Sequence, residues 1–218
     1  MPFKVLFTGG PCGGKSTILK EAISILRNTH PNLVVNFVPE VATNVFRCLH
    51  SFSAPKTADE RVQLQTALLK KQIQDENTIL ELGGANDIVF FDRGAIDGKT
   101  FMTEGEWQQV LTECNDVTEK DLFERYDLVI HCTSVAVDCP SLYAQGPHSN
   151  NENRYHNVEQ ARNADLRGQE IFKKHPRSFV IHNDDENGLQ GKVRRAMDII
   201  MTELAVGGVC YIRGQKPK

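Results

Sequence analysis

No apolar run in this chain approaches the ~20 residues a helix needs to cross a bilayer, so no transmembrane segment is expected. A basic surplus is missing too: 25 Lys and Arg face 28 Asp and Glu, a formal charge of −3. That balance argues against a nucleic-acid partner, which calls for a basic footprint. The six cysteines include no C-x-x-C pair, so reduced thiols and a cytoplasmic setting are expected. Because a strand pattern opens at Phe3, no targeting leader is expected. There is no internal repeat and no low-complexity block. What is present, 40% apolar and 24% charged residues in 218, is the composition of an ordinary folded domain. The length suits one sizeable core, and residues 1–218 are read as a single domain.

The most informative stretch is Gly9-Gly10-Pro11-Cys12-Gly13-Gly14-Lys15-Ser16-Thr17. It fits the phosphate-loop pattern G-x-x-x-x-G-K-[ST] without mismatch. An apolar strand, Phe3–Thr8, precedes it, and Ile18, Leu19, Ala22, Ile25 and Leu26 follow at helical spacing. Strand, loop and helix are the context the motif requires. Glycines let the backbone curl so that Gly10, Pro11, Cys12, Gly13, Gly14, Lys15, Ser16 and Thr17 surround a polyphosphate. The helix N-terminus adds partial positive charge. Lys15 is placed to reach the terminal phosphates and Ser16 to offer its hydroxyl to a magnesium ion. Cys12 lies inside this loop, where a disulfide would obstruct the site.

A second strand, Leu33–Val38, ends in Pro39-Glu40. A carboxylate at that tip can reach a substrate hydroxyl; alternatively Glu40 is the acid that opens the helix Val41–Leu49. A third strand, Asp87–Asp92, is apolar between polar ends and reads as buried on both faces. In a parallel sheet, ligands bind at the carboxyl edge. Asp92 there can hold magnesium and Arg93 can neutralise phosphate; the other reading is a loop ion pair. Asp127–Cys132 and Ser178–Asn183 are the fourth and fifth strands, with Asn183 facing the nucleotide. Capping boxes at Thr57, Thr103 and Thr118 open helices. The longest runs to about Leu82, its Lys, Gln, Glu and Asp residues forming a solvated face. Trp107 is read as core. Ser134–Asn153, rich in Pro, Ser, Asn and Gly, lacks periodicity and suggests a lid spanning about 134–165. Arg154 and Arg162 at its base can swing onto transferring phosphates, or they are solvated charges. Val193, Met197, Ile200 and Leu204 make an apolar stripe on the last helix. Val209–Ile212 is a candidate edge strand, and 207–218 a frayed tail.

Together, Phe7–Thr17, Val38-Pro39-Glu40, Phe91-Asp92-Arg93-Gly94-Ala95-Ile96-Asp97 and Arg154…Ala161-Arg162…Asp165 resemble the NadR-like P-loop kinase/ATPase family. Within it, the likeness is greatest to the N-terminal domain of the TRPL translocation defect protein. The similarity runs over roughly Phe3 to Leu204. It implies an α/β fold: a P-loop NTPase three-layer sandwich with a five-stranded parallel sheet of nucleoside/nucleotide-kinase type. It also implies binding of a purine nucleotide, ATP or GTP, with Mg2+. By analogy with related kinases, Glu40 would be the general base, and Asp92 and Arg93 the metal and phosphate pair. The translocation-defect relatives are associated with GTP and phosphoinositide binding, and they carry a second, triphosphate-tunnel-like domain that this sequence lacks.

Three functions fit. The first is a kinase passing a γ-phosphate to an unidentified small-molecule hydroxyl, with Lys15, Glu40, Asp92, Arg93, Arg154 and Arg162 as its machinery. The second is a nucleotide switch or NTPase, although Asn183-Asp184-Asp185-Glu186 is not a guanine signature and Asp92-Arg93-Gly94-Ala95 is not a D-x-x-G switch. The third is an adaptor whose surface takes a phosphoinositide headgroup or a protein.

Overall fold

Five short strands, β1 (Phe3–Thr8), β2 (Val35–Val38), β3 (Ile88–Asp92), β4 (Leu128–Cys132) and β5 (Ser178–Ile181), pair in parallel in the order β2-β3-β1-β4-β5. They belong to a computed structural model that describes residues 1–49, 53–145, 157–183 and 187–206. The predicted edge strand Val209–Ile212 and the tail 207–218 lie outside these residues. The helices are α1 (Lys15–Thr29), α2 (Val41–Cys48), α3 (Ala58–Leu82), α4 (Glu104–Glu113), α5 (Glu119–Phe123), α6 (Val135–Asp138), α7 (Pro140–Gln145), α8 (Val158–Phe172) and α9 (Gly188–Val206). A 3-10 turn occupies Asp97–Phe101.

Period-two alternation divides the strand side chains between two cores. Val5, Phe7, Phe90 and Ile130 face α1 and α9, where Ile18, Leu26, Val193, Ile200 and Leu204 bury against them. Leu6, Val89, Phe91 and Val129 face the other way, onto Val62 and Leu69 of α3, Trp107 and Val110 of α4, and Phe172 of α8. The result is the expected three-layer α/β sandwich. Every residue of β3 and β4 is buried, which explains their unbroken apolar runs. Trp107 is fully buried core.

Local rules set the helix starts. Thr57, Thr103 and Thr118 each accept from the N3 backbone of their helix in complete capping boxes. A fourth box, Asn157 with Gln160, opens α8. Gly83 ends α3 in an extended conformation, without the left-handed twist common at helix ends.

Two readings of the sequence need correction. Composition gave Ser134–Asn153 no periodicity, yet α6 and α7 lie within it. Ser134 caps α6 through Ala136 N, and Ala136 and Tyr143 bury against Ala161 of α8. Helices of four and six residues are too short to show a period. The polar surface of α3 is also not all solvated. Gln72 and Glu76 are buried. Glu76 accepts from the Tyr126 hydroxyl at 2.6 Å and from Arg125 Nε, while the same hydroxyl accepts from Ala95 N at 2.6 Å. These partners lie some 50 residues away in sequence, so the helix pattern carries no trace of them.

Candidate functional site

In register, Phe7 stands beside Asp92 and Thr8 beside His131, while Val38 pairs with Phe91. The carboxyl ends of β1, β2, β3 and β4 therefore meet at one edge, flanking the strand that feeds the phosphate loop.

The loop rests backbone to backbone on β4. A Cβ at Gly9 or Gly13 would stand 2.2 or 2.4 Å from Cys132 O, so only glycine fits at either position. Gly14, at φ 81°, turns the chain into α1. No side chain caps that helix and no acid occupies its first turn. Among the described residues, the N–H groups of Gly13, Gly14, Lys15 and Ser16 have no acceptor. Converging free N–H groups at a helix N-terminus form an anion nest. Lys15 lies folded into it, with Nζ donating to Gly9 O at 2.9 Å and Gly10 O at 2.7 Å. Burial, and next the Arg93 charge, pull its pKa down to about 8, against the opposing pull of Asp92 and Glu40.

Ser16 Oγ donates to Asp92 Oδ2 at 2.7 Å. Burial holds the Asp92 carboxyl above its usual range despite Lys15 and Ser16 nearby. A buried carboxyl next to a hydroxyl is a pair that fits a magnesium ion. Among the described residues no group of three or more His, Cys, Asp or Glu could enclose a metal. Magnesium does not require one, since it takes one or two carboxylates together with substrate phosphates and water. Asp92→Asn is expected to weaken the magnesium dependence of nucleotide binding at least tenfold while base preference is unchanged. An unaltered magnesium titration would remove Asp92 from the metal site.

Arg93 adopts φ 64°, rare for a non-glycine residue and common at functional turns. This turn aims its guanidinium at two carboxylates: Nε donates to Glu40 Oε1 at 2.6 Å and Nη1 to Asp97 Oδ1 at 3.1 Å. Asp97 also accepts from Thr8 Oγ1 at 2.6 Å and Gly94 N at 2.8 Å. Burial opposes the Arg93 charge, but Glu40, Asp97 and Asp92 outweigh it and hold the pKa above its ordinary value. Glu40 stands at the N-cap of α2 but makes no side-chain cap bond. It takes a hydrogen bond from Thr43 and the ion pair from Arg93. Burial raises its pKa, and Arg93, Thr43 and Lys15 more than reverse that, so the carboxylate stays ionised.

The sequence matches the family model described as AAA domain over residues 4–187. The chain belongs to that family. Its fold also resembles a thymidylate kinase from Ehrlichia chaffeensis, with a TM-score of 0.58 and 15% identity over 91% of this chain and 98% of the kinase chain. No curated protein matches the chain. Membership of the AAA domain family, on a fold of this kind, supports nucleotide binding. No helix among the described residues is long and apolar enough to cross a membrane. Cys48, Cys114 and Cys132 of this AAA domain chain are free thiols.

Of the residues singled out in the sequence, the structure brings together Lys15, Ser16, Glu40, Asp92 and Arg93. Arg162 is exposed on α8, with no ion-pair partner among the described residues. Arg154 lies outside the described residues. The Asn183 amide is spent on the fold: Nδ2 donates to Thr133 O, Ser134 O and Asp138 Oδ2.

Sequence reasoning missed Asp97, although it stands in the segment that carries the family resemblance. It also gave Asp165 no role of its own. Asp165 is buried on α8, and its Oδ1 accepts from Gly10 N at 2.7 Å and Ser134 N at 2.9 Å, while Oδ2 accepts from Gln169. His131 Nε2 stands 3.2 Å from Oδ1 without the alignment of a hydrogen bond. Burial pushes the carboxyl up, but His131, Gly10 N–H and Gln169 overcome it and bring the pKa to about 2. The folded value lies below the unfolded 3.8. Its stabilisation, about 2 kcal/mol, is therefore present above pH ~4 and lost as pH falls through ~2. Asp165→Asn should lose that contribution at neutral pH, and the urea midpoints of the two proteins should converge toward pH 2. Parallel pH curves would contradict the assignment.

Proposed function

We propose that this AAA domain protein is a P-loop kinase that transfers the γ-phosphate of ATP or GTP to a small-molecule hydroxyl. The observation that carries the reading is the direction of Glu40. Its carboxylate leaves its own helix uncapped and is held by Arg93 beside Lys15 and Asp92. A switch or NTPase needs no fixed carboxylate there; a kinase needs one to accept the proton of its second substrate. The likeness to NadR-like kinases and to the translocation-defect N-terminal domain belongs to the same proposal. So do the single-domain organisation and a cytoplasmic setting.

Each residue then has a task. The free loop N–H groups and Lys15 bind and orient the polyphosphate. Lys15 leaves Gly9 O and Gly10 O for the β- and γ-phosphate oxygens, exchanging neutral acceptors for anionic ones. Glu40 accepts the acceptor's hydroxyl proton as its oxygen attacks phosphorus and the nucleoside diphosphate departs with the bridging electron pair. Arg93, clamped by Asp97, keeps Glu40 ionised and in place. Ser16 and Asp92 would hold Mg2+, which when bound neutralises phosphate charge.

The test is phosphate transfer from ATP and GTP, with magnesium, to a panel of nucleosides, nicotinamide riboside, simple polyols and phosphoinositide headgroups. Turnover that requires an acceptor supports the kinase. Phosphate release from nucleotide alone, undiminished by any acceptor, would make the protein an NTPase.

A further inference from the structure

A second lysine grips the phosphate loop from outside. Lys192 on α9 is 2% exposed, and its Nζ donates to Gly13 O at 3.0 Å and Thr133 O at 2.7 Å. Among the described residues it forms no ion pair. A buried ammonium with only carbonyls for partners costs a fold more than an apolar side chain of the same size. Asp165 and Asp138 act on it only through space, while the loop carbonyl it holds belongs to the peptide whose N–H lines the nest on the other side.

We infer that Lys192 is a positioning residue for nucleotide phosphate, acting through the Gly13–Gly14 peptide. A trans peptide is planar, with its C=O and N–H pointing opposite ways. Turning Gly13 O outward to Lys192 therefore turns Gly14 N–H inward, to where a phosphate lies. The same device recurs at Pro11, whose oxygen accepts from Ser134 Oγ at 2.5 Å and so fixes the Cys12 N–H. Asp165 takes Gly10 N from outside the loop, and a Cβ at Gly10 would strike it at 2.7 Å. Three elements, α8, the start of α6 and α9, thus hold the back of one loop. Of the three, Lys192 alone also adds a full positive charge behind it.

The inference rests on the reading that Gly9–Thr17 binds a polyphosphate, and the experiment separates the two. Affinities of ATP, GTP and inorganic tripolyphosphate, each with magnesium, are measured by calorimetry for wild type and Lys192→Met, alongside the melting temperature of each protein without ligand. Methionine keeps the apolar stem and removes donor and charge. The expected result is a ten- to hundredfold weaker affinity for all three ligands, as for losing a charged hydrogen-bond donor of roughly 1.5–3 kcal/mol. The ligand-free melting temperature should be unchanged or higher. A lysine that merely holds the fold would give the reverse, a lower melting temperature with unchanged affinity, and that overturns the inference alone. If Lys192→Met does not fold, Lys192→Gln decides: it keeps an amide donor without the charge. At least tenfold weaker binding in it supports the inference, and wild-type affinity overturns it. Wild-type protein that binds none of the three ligands overturns the nucleotide reading itself, and the inference with it.

Discussion

Replacing Lys15 with methionine is expected to abolish measurable nucleotide binding and, in the same protein, to raise the melting temperature of the ligand-free state. The binding loss follows from geometry. Lys15 lies at the centre of a nest of free N–H groups, and each charge-assisted hydrogen bond it gives a phosphate oxygen contributes about 1.5–3 kcal/mol. Two such bonds correspond to at least a hundredfold in affinity. The gain in stability follows from the cost of keeping an ammonium there without an anion. Its pKa falls from 10.5 to about 8, so at neutral pH the charged form weighs on the folded state by roughly 3 kcal/mol. Methionine of similar length removes that burden. Thermal denaturation of the two apo proteins and calorimetry with ATP and GTP check both halves. Wild-type affinity in Lys15→Met would show that the lysine does not face phosphate. A sharply lower apo melting temperature would show instead that its bonds to Gly9 O and Gly10 O hold the loop together.

Glu40→Gln carries the second large effect, and it separates a kinase from a switch. A hydroxyl is a weak nucleophile at neutral pH, and a positioned general base typically contributes ~10²–10⁴ in rate. Acceptor-dependent turnover should fall by a factor in that range. Nucleotide affinity should barely change, because the loop and Lys15 are untouched. The structure adds a stability cost that a helix-opening acid would not have. Arg93 loses the stronger of its two carboxylates and keeps only Asp97, at 3.1 Å. Both members of the Glu40–Arg93 pair are partly exposed, with side-chain accessibilities of 27% and 18%. The loss is therefore about 1–3 kcal/mol, below that of a fully buried pair. Undiminished turnover on an acceptor would end the general-base assignment, whatever happens to the melting temperature.

How far the sequence could be read depended on how near the partners lie. The loop, its strand and α1 are contiguous, so Lys15 and Ser16 were legible from Gly9–Thr17 alone. The three threonine caps were legible for the same reason, each being a bond across three residues. Asp92 and Glu40 were found because strand ends point to a shared edge in any parallel sheet. Asp97 was visible only as part of a motif, since its bond to Thr8 spans 89 residues. Asp165 and Lys192 were out of reach. Their bonds to Gly10 and Gly13 span 155 and 179 residues, and nothing local marks a carboxylate or an ammonium that turns inward from an otherwise ordinary helix. Arg162 faces outward from α8, and the packing of that helix over β4 sends the Asp165 carboxylate inward to the loop.

Those long spans also bear on the order in which the chain assembles. β1, the loop and α1 leave the ribosome well before α9, which carries the ammonium that steadies Gly13, at residue 192. Until α9 docks against α1 and β4, Gly13 O and Thr133 O must take their hydrogen bonds from water. Contacts this distant form late, because the entropy of closing the intervening chain precedes any return. A nascent or refolding chain would therefore reach its full affinity for polyphosphate only when α9 docks. Ligand present at that moment would draw the step forward by mass action. Refolding followed by a probe on α9 would then quicken, or gain amplitude, when tripolyphosphate is added.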